Sequence, residues 1–153
     1  MTIDIKPLTK EEMENWPKEV VVKLEQAFSD ARGDIQPLVD EDMKSAVLIT
    51  SKKGAVRGNH YHETDWHYCY VLRGTIEYFH RPAGSAAEPE CTVLKEGDMF
   101  FTPPQVEHAM VFPEDSQFLT LGRNSRRQEV YEADVKRVTL VEPRTDDTGT
   151  KNS

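Results

Sequence analysis

From residue 20 onward the chain alternates short apolar runs with turn residues in a pattern that predicts strands. Nine runs of four to six residues stand out: VVVKL at 20–24, DIQPLV at 34–39, AVLIT at 46–50, HYCYVL at 67–72, TIEYFH at 75–80, CTVL at 91–94, DMFFT at 98–102, HAMVF at 108–112 and FLTLG at 118–122. They are rich in β-branched and aromatic side chains, which suit a pleated, half-buried surface. Arg73-Gly74, the stretch from Pro82 to Pro89, and Pro113-Glu114-Asp115 separate them as hairpin connections. So many short strands at close spacing predict an all-β barrel or jelly roll. Before them, residues 9–16 predict one short helix, with Thr9 and Glu12 in capping-box register and Pro17 ending it at Trp16. The expected organisation is an N-terminal extension at 1–19, a barrel at 20–141 and a disordered tail at 142–153, EPRTDDTGTKNS, which has little to pack with.

Composition narrows the functional classes. At 153 residues the chain fits one domain with one core. No apolar run approaches the roughly 20 residues that span a bilayer, and MTIDIKPLTKEEMENW lacks the basic-then-apolar layout of a signal peptide, so no membrane partner and a cytoplasmic location are expected. The two cysteines, Cys69 and Cys91, are too few for a disulfide framework, and Cys69 falls on the inward face of its run. Both are expected as reduced thiols. A net charge of −8 disfavours nucleic acid, whose affinity rests on clustered Lys and Arg.

The histidines change the picture most. His60 and His62 sit two apart, so in a strand they point to the same side, with Tyr61 on the other. His67 follows five residues after His62, and His108 comes about forty residues later. Imidazole suits Zn, Mn, Fe, Ni or Cu, and a closed barrel can bring all four rings together. For any single histidine in a strand a structural role is commoner; four in two spaced blocks are not independent accidents. The fifth, His80 in FHRPAG, reads as a surface or loop residue.

Two blocks carry a family resemblance. GAVRGNHYHETDWHYCYVLRG, from Gly54 to Gly74, resembles the first cupin motif: Gly, five residues, His-x-His, four residues, His67, six residues, Gly. His67 stands where that family usually has Glu. GDMFFTPPQVEH, from Gly97 to His108, resembles the second motif, with Gln105 in place of a Gly and Phe112 in place of an Asn. The resemblance implies a double-stranded β-helix barrel holding one divalent metal ion, Zn, Mn, Fe or Ni, on His60, His62, His67 and His108. It also implies a homodimer paired through edge strands, for which VVVKL offers an apolar edge.

Upstream residues resemble one branch of that superfamily. Asp30, Arg32 and Gly33 form a D-x-R-G turn, and Arg57, Gly58, His60 and His62 an R-G-x-H-x-H segment, in the order found in cupins acting on nucleotide-linked 4-keto sugars. That likeness implies a 3,5-epimerase or 3,4-ketoisomerase with a small-molecule substrate. A base removes the acidic proton beside the ketone and the proton returns to another face or atom. His62 or His60 is the implied base. Arg57 and Arg123 are candidates to hold a diphosphate, and Tyr78 and Glu107 are candidate acids or bases. Tyr78, with Trp66, Tyr68 and Tyr70, could stack a sugar or base. A histidine on a metal has its lone pair engaged, so the metal and histidine-base readings compete for the same residues. Two other classes stay open, a metal-dependent dioxygenase and a non-catalytic binding module. The segment from Arg126 and Arg127 to Tyr131 either covers the barrel mouth or forms a dimer contact.

Overall fold

The computed structural model describes residues 3–143. Its elements run in the order α1 (Lys10–Glu14), β1 (Phe28–Asp30), β2 (Gly33–Ile35), β3 (Ser45–Ser51), β4 (Val56–His62), β5 (His67–Arg73), β6 (Thr75–Pro82), β7 (Glu90–Lys95), β8 (Met99–Thr102), β9 (Val106–Val111), β10 (Ser116–Gly122), α2 (Gln128–Asp134) and β11 (Val135–Arg137). Two antiparallel sheets, β3-β10-β5-β8 and β11-β4-β9-β6-β7, face each other as a jelly roll, and β1-β2 form a separate hairpin. The all-β architecture expected from the sequence is the one observed.

Period-two alternation builds the interior. Along β6, Ile76, Tyr78 and His80 are buried between half-exposed neighbours, and along β10 Ser116, Phe118, Thr120 and Gly122 are. Ile76, Tyr78, Leu94, Phe100, Phe112 and Phe118 meet Cys69, Val71 and Met110 between the sheets. Each such large side chain contributes about 1.5–3 kcal/mol by leaving water. A second cluster, Trp66, Tyr68, Met99 and Phe101, lies on the outer face of the four-stranded sheet. Trp16, Val22, Leu24, Leu38, Val39 and Met43 of the N-terminal segments cover it.

Several runs behave differently from their pattern. VVVKL is not a strand of its own: Val21 makes a single bridge to Phe100, with Val22 N donating to Met99 O and Phe101 N to Val20 O. Pairing goes no further because β8 has four residues and is followed by Pro103 and Pro104. DIQPLV pairs only as far as Ile35, since Pro37 has no N–H to give, and Leu38 and Val39 turn onto the aromatic cluster instead. The α1 helix starts as expected, with Glu12 N donating to Thr9 Oγ1, but ends after five residues. Neither α2 nor β11 stood out in the pattern. The expected tail at 142–153 lies almost wholly outside the described residues.

Candidate functional site

Strand β4 owes its position to two backbone features. Gly58 has φ +82°, and a Cβ there would lie 2.9 Å from His108 O, so only glycine lets β4 approach β9 this closely. Asn59, at φ +58°, is the extra residue of a bulge: Gly58 pairs with Ala109 and His60 with His108. Its side chain is held from outside the barrel, Oδ1 accepting from Leu140 N and Val141 N and Nδ2 donating to Val141 O. The bulge sets the phase in which His60 and His62 both turn inward.

Three histidines converge. Ring nitrogens of His60, His62 and His108 all lie within 4.8 Å of one another, and the three side chains are buried. His60 meets His108 edge to face, with ring centroids 4.7 Å apart, and His62 at 4.9 Å. Burial lowers the His60 pKa well below 6.5, with His108, His62 and His67 adding to the effect. Burial and the neighbouring histidines bring His108 down to about 3. His62 is lowered chiefly by burial, against the opposing pull of Asp134. All three are therefore uncharged at neutral pH, the state a metal ligand or a general base needs. His108 Nδ1 lies 3.1 Å from Val106 O, which fixes the proton on Nδ1 and leaves Nε2 with a free lone pair.

His67 takes a different place. Its ring lies 5.1 Å from that of His62, but its Nε2 stands 3.2 Å from Asp65 Oδ2, and it is not among the three nitrogens that cluster. Gly122 makes room for it, since a Cβ there would come within 2.9 Å of the ring. Burial works to raise the Asp65 carboxyl, yet His67, His62 and the N–H of Asn124 outweigh it and hold the pKa down to about 2. Strand alternation had placed His67 inward; the carboxylate two residues earlier was not singled out.

Behind His62 stands Asp134, at the end of α2. Its Oδ2 lies 3.6 Å from His62 Nδ1, just past hydrogen-bond length, and His62 Nδ1 is buried without another partner. The carboxylate also accepts from Thr64 N and Thr64 Oγ1 through Oδ1 and from Asp65 N through Oδ2. Burial opposes its charge, but His62, Thr64 and Asp65 together lower its pKa below the usual value. Asp134 carries no motif signal, and only the fold brings it beside a residue 72 positions earlier.

The other sequence candidates lie around this centre. Tyr78 is fully buried beneath it; its hydroxyl accepts from Thr102 Oγ1 at 3.2 Å, and burial raises its pKa strongly. Glu107 is next to His108 in sequence but on the opposite face of β9, bonded to Arg81 Nε at 2.7 Å and Gly84 N at 2.9 Å. Arg57 spans to the other sheet, donating to Ser51 Oγ and Thr50 O. Arg123 pairs with Glu12 and donates to Pro7 O, lining a groove of about 640 Å³ outside the barrel with Trp16, Trp66 and Tyr68. Tyr70 is half-buried on that outer side as well. His80, read as a surface residue, is buried instead: its ring stacks on Tyr78 at 4.9 Å and Nε2 lies 3.0 Å from Thr92 Oγ1.

The histidine cavity is small, about 40 Å³, and its walls include Ile49, Cys69, Met110 and Phe118. Arg126 and Tyr131, from the segment at 126–131, also line it. Tyr131 sits edge-on to His62 at 5.4 Å, and the Arg126 guanidinium stacks over the Tyr131 ring at 3.8 Å. Arg126, not Arg57 or Arg123, is the arginine that lines the cavity. Gln105, where the motif has glycine, keeps the left-handed backbone at φ +62°, and its N–H donates to His62 O.

Comparisons agree with this architecture. A 3,4-ketoisomerase variant from Thermoanaerobacterium thermosaccharolyticum, solved with TDP-4-keto-6-deoxyglucose, superposes with a TM-score of 0.62 at 20% identity, covering 76% of this chain and 85% of that one. The dTDP-4-dehydrorhamnose 3,5-epimerase of Sulfolobus tokodaii gives 0.58 at 16%, covering 78% and 84%. A 3′-monoepimerase from Streptomyces bikiniensis, in complex with dTDP-quinovose, gives 0.61 at 16%, covering 76% and 68%. Identities this low show a shared fold. No curated protein matches the sequence. Residues 47–121 match the family model described as Cupin domain, and this stretch holds both histidine blocks and strands β4 to β9. With that domain match and the jelly roll built around it, residues 47–121 form a cupin domain.

Proposed function

We propose that the chain is an isomerase or epimerase of a keto sugar, nucleotide-linked as in the solved structures it resembles. One observation carries this reading: His62 lies uncharged in the barrel cavity with Asp134 behind its Nδ1. A proton on Nδ1, directed at the carboxylate, leaves Nε2 as the proton acceptor. The C–H bond beside the ketone breaks and its electron pair enters an enediolate. His62 gives the proton to the neighbouring carbon on the same face while the hydroxyl proton passes to the former ketone oxygen, which shifts the keto group. Protonation by water from the opposite face inverts the carbon instead. Asp134 stabilises the imidazolium formed in between. Arg126 meets the anionic part of the substrate at the mouth.

His60, His62 and His108 also fit a divalent metal, because three neutral rings converge and Val106 O fixes the His108 tautomer. When bound, such an ion would polarise the ketone oxygen and engage the His62 lone pair, so that in this reading His62 is a ligand and another group takes the proton. His67 belongs in this reading as an outer residue paired with Asp65 rather than as a fourth ligand. The apolar walls Ile49, Met110 and Phe118 favour a second reading, a metal-dependent dioxygenase. The partner is a small molecule, and a second copy of the chain is the expected protein partner: Phe28 and Ile35 pair across β1-β2 with both side chains about two-thirds exposed.

Incubation with TDP-4-keto-6-deoxyglucose, followed by proton NMR, tests the proposal. A shifted keto group or inverted C3 or C5 supports it. Unchanged sugar alongside oxygen consumption by the Fe(II)-loaded protein moves the assignment to the dioxygenase.

A further inference from the structure

Two residues at either end of the segment over the histidine cavity clasp the same turn. At one end Asn124 N donates to Asp65 Oδ1 and Asn124 Nδ2 to Thr64 Oγ1, each at 2.9 Å. At the other, Asp134 accepts from Thr64 N, Thr64 Oγ1 and Asp65 N, while its own carbonyl accepts from Glu63 N. Residues 125–133 thus leave the barrel and return to it at one place, the geometry of an Ω-loop. Between the two pins Arg127 N donates to Ser125 Oγ, Tyr131 N to Arg127 O and Gln128 Nε2 to Glu132 Oε1, and Glu132 is tied to β11 by a half-exposed pair with Arg137. Val130 and Tyr131 are its buried side chains. Helix α2 has seven residues and no side-chain cap at Arg127, so its own stability is low.

Beneath it the cavity of about 40 Å³ takes a few waters or an ion but not a hexose ring. We infer that residues 125–133 are a lid, hinged at Asn124 and Asp134, which lifts Tyr131 and Arg126 away from His60 and His62 to admit a ligand. The pins keep the displacement local, since Thr64 and Asp65 stay in place while the segment between swings. Only the need to admit something sugar-sized rests on the proposed function; the opening itself is independent of any substrate.

Cys69 lines the cavity under the lid and Cys91 is exposed, so a Cys91→Ser protein carries one buried reporter thiol. Its labelling by methyl methanethiosulfonate should be about tenfold or more faster than global unfolding permits and insensitive to low urea. Asn124→Ala, which frees one pin, should speed it several-fold with no change in Cys91 labelling in the parent. Labelling that follows the urea dependence of global unfolding would overturn the lid. Amide exchange of the unmodified protein gives a second readout: amides at 128–133 should exchange about a hundredfold faster than those of β4 and β9. Equal protection in the three segments would also overturn it. No sugar is present in either measurement, so a failure of the keto-sugar assignment leaves both outcomes readable.

Discussion

Asp134 Oδ2 stands 3.6 Å from His62 Nδ1, and the carboxylate is anchored by Thr64 and Asp65, not by the histidine. A carboxylate fixed by other donors, facing an imidazole nitrogen that has no other partner, selects the tautomer that presents Nε2 to the cavity. The same arrangement serves a base and a metal ligand, and the two readings separate by experiment.

Metal uptake is the first test. Isothermal titration of metal-free protein with Zn²⁺ should give one site. His60→Ala, His62→Ala and His108→Ala should each weaken it by about a hundredfold or more, whereas His67→Ala should weaken it by about tenfold, the effect of an outer residue. Equal losses at all four histidines would restore the four-ligand set.

Acid stability follows from Asp65. Its carboxyl is held down to about 2 in the folded protein against an ordinary 3.8. A lowered folded value means that the stabilisation is fully present above the unfolded value and is lost as pH falls through the folded one. Urea unfolding should therefore show stability falling between about pH 4 and pH 2, and Asp65→Asn should flatten that slope while lowering stability at pH 7. A slope unchanged in the variant would assign the acid transition elsewhere.

Backbone strain gives the third expectation. Gly58→Ala forces a Cβ into a left-handed conformation and against His108 O, 2.9 Å away. Loss of about 1–3 kcal/mol in urea denaturation is expected, together with weakened metal binding, because the β4-β9 approach is what joins His60 to His108. Gly84→Ala, with open space around its Cβ, serves as the strain-only control.

Self-association rests on the β1-β2 hairpin. Phe28 and Ile35 are exposed on a two-stranded unit that has little stability alone. Sedimentation at micromolar concentration should give twice the 17.5 kDa chain mass, and Phe28→Asp should return it to the monomer. A wild-type monomer would remove the second copy from the account.

The barrel was legible because its signals are local. The β-branched and aromatic runs TIEYFH and FLTLG mark two of its strands, and the His-x-His spacing put His60 and His62 on one face. Alternation along TIEYFH would also have turned His80 inward beside Ile76 and Tyr78, where the structure has it. The strand carrying those histidines is less legible as a run, since Gly58 and Asn59 interrupt its alternation to make the bulge. VVVKL reads like a strand but gets only one bridge, because the length of β8 decides pairing. Asp134 was out of reach for another reason: it joins the site through a turn some 70 residues earlier in sequence, a distance no motif spans, whereas Arg126 was already marked by its segment as either a mouth or a dimer residue. Glu107 shows the converse. Adjacent to His108, it faces Arg81 because neighbours in a strand point opposite ways.

The most direct test of the central claim is deuterium uptake from heavy water into TDP-4-keto-6-deoxyglucose at the carbon beside its ketone. The wild-type protein should exchange that hydrogen, His62→Ala should abolish the exchange, and Asp134→Asn should slow it about 10- to 100-fold with little change in KM. Exchange that survives in His62→Ala would contradict the assignment of His62 as the base.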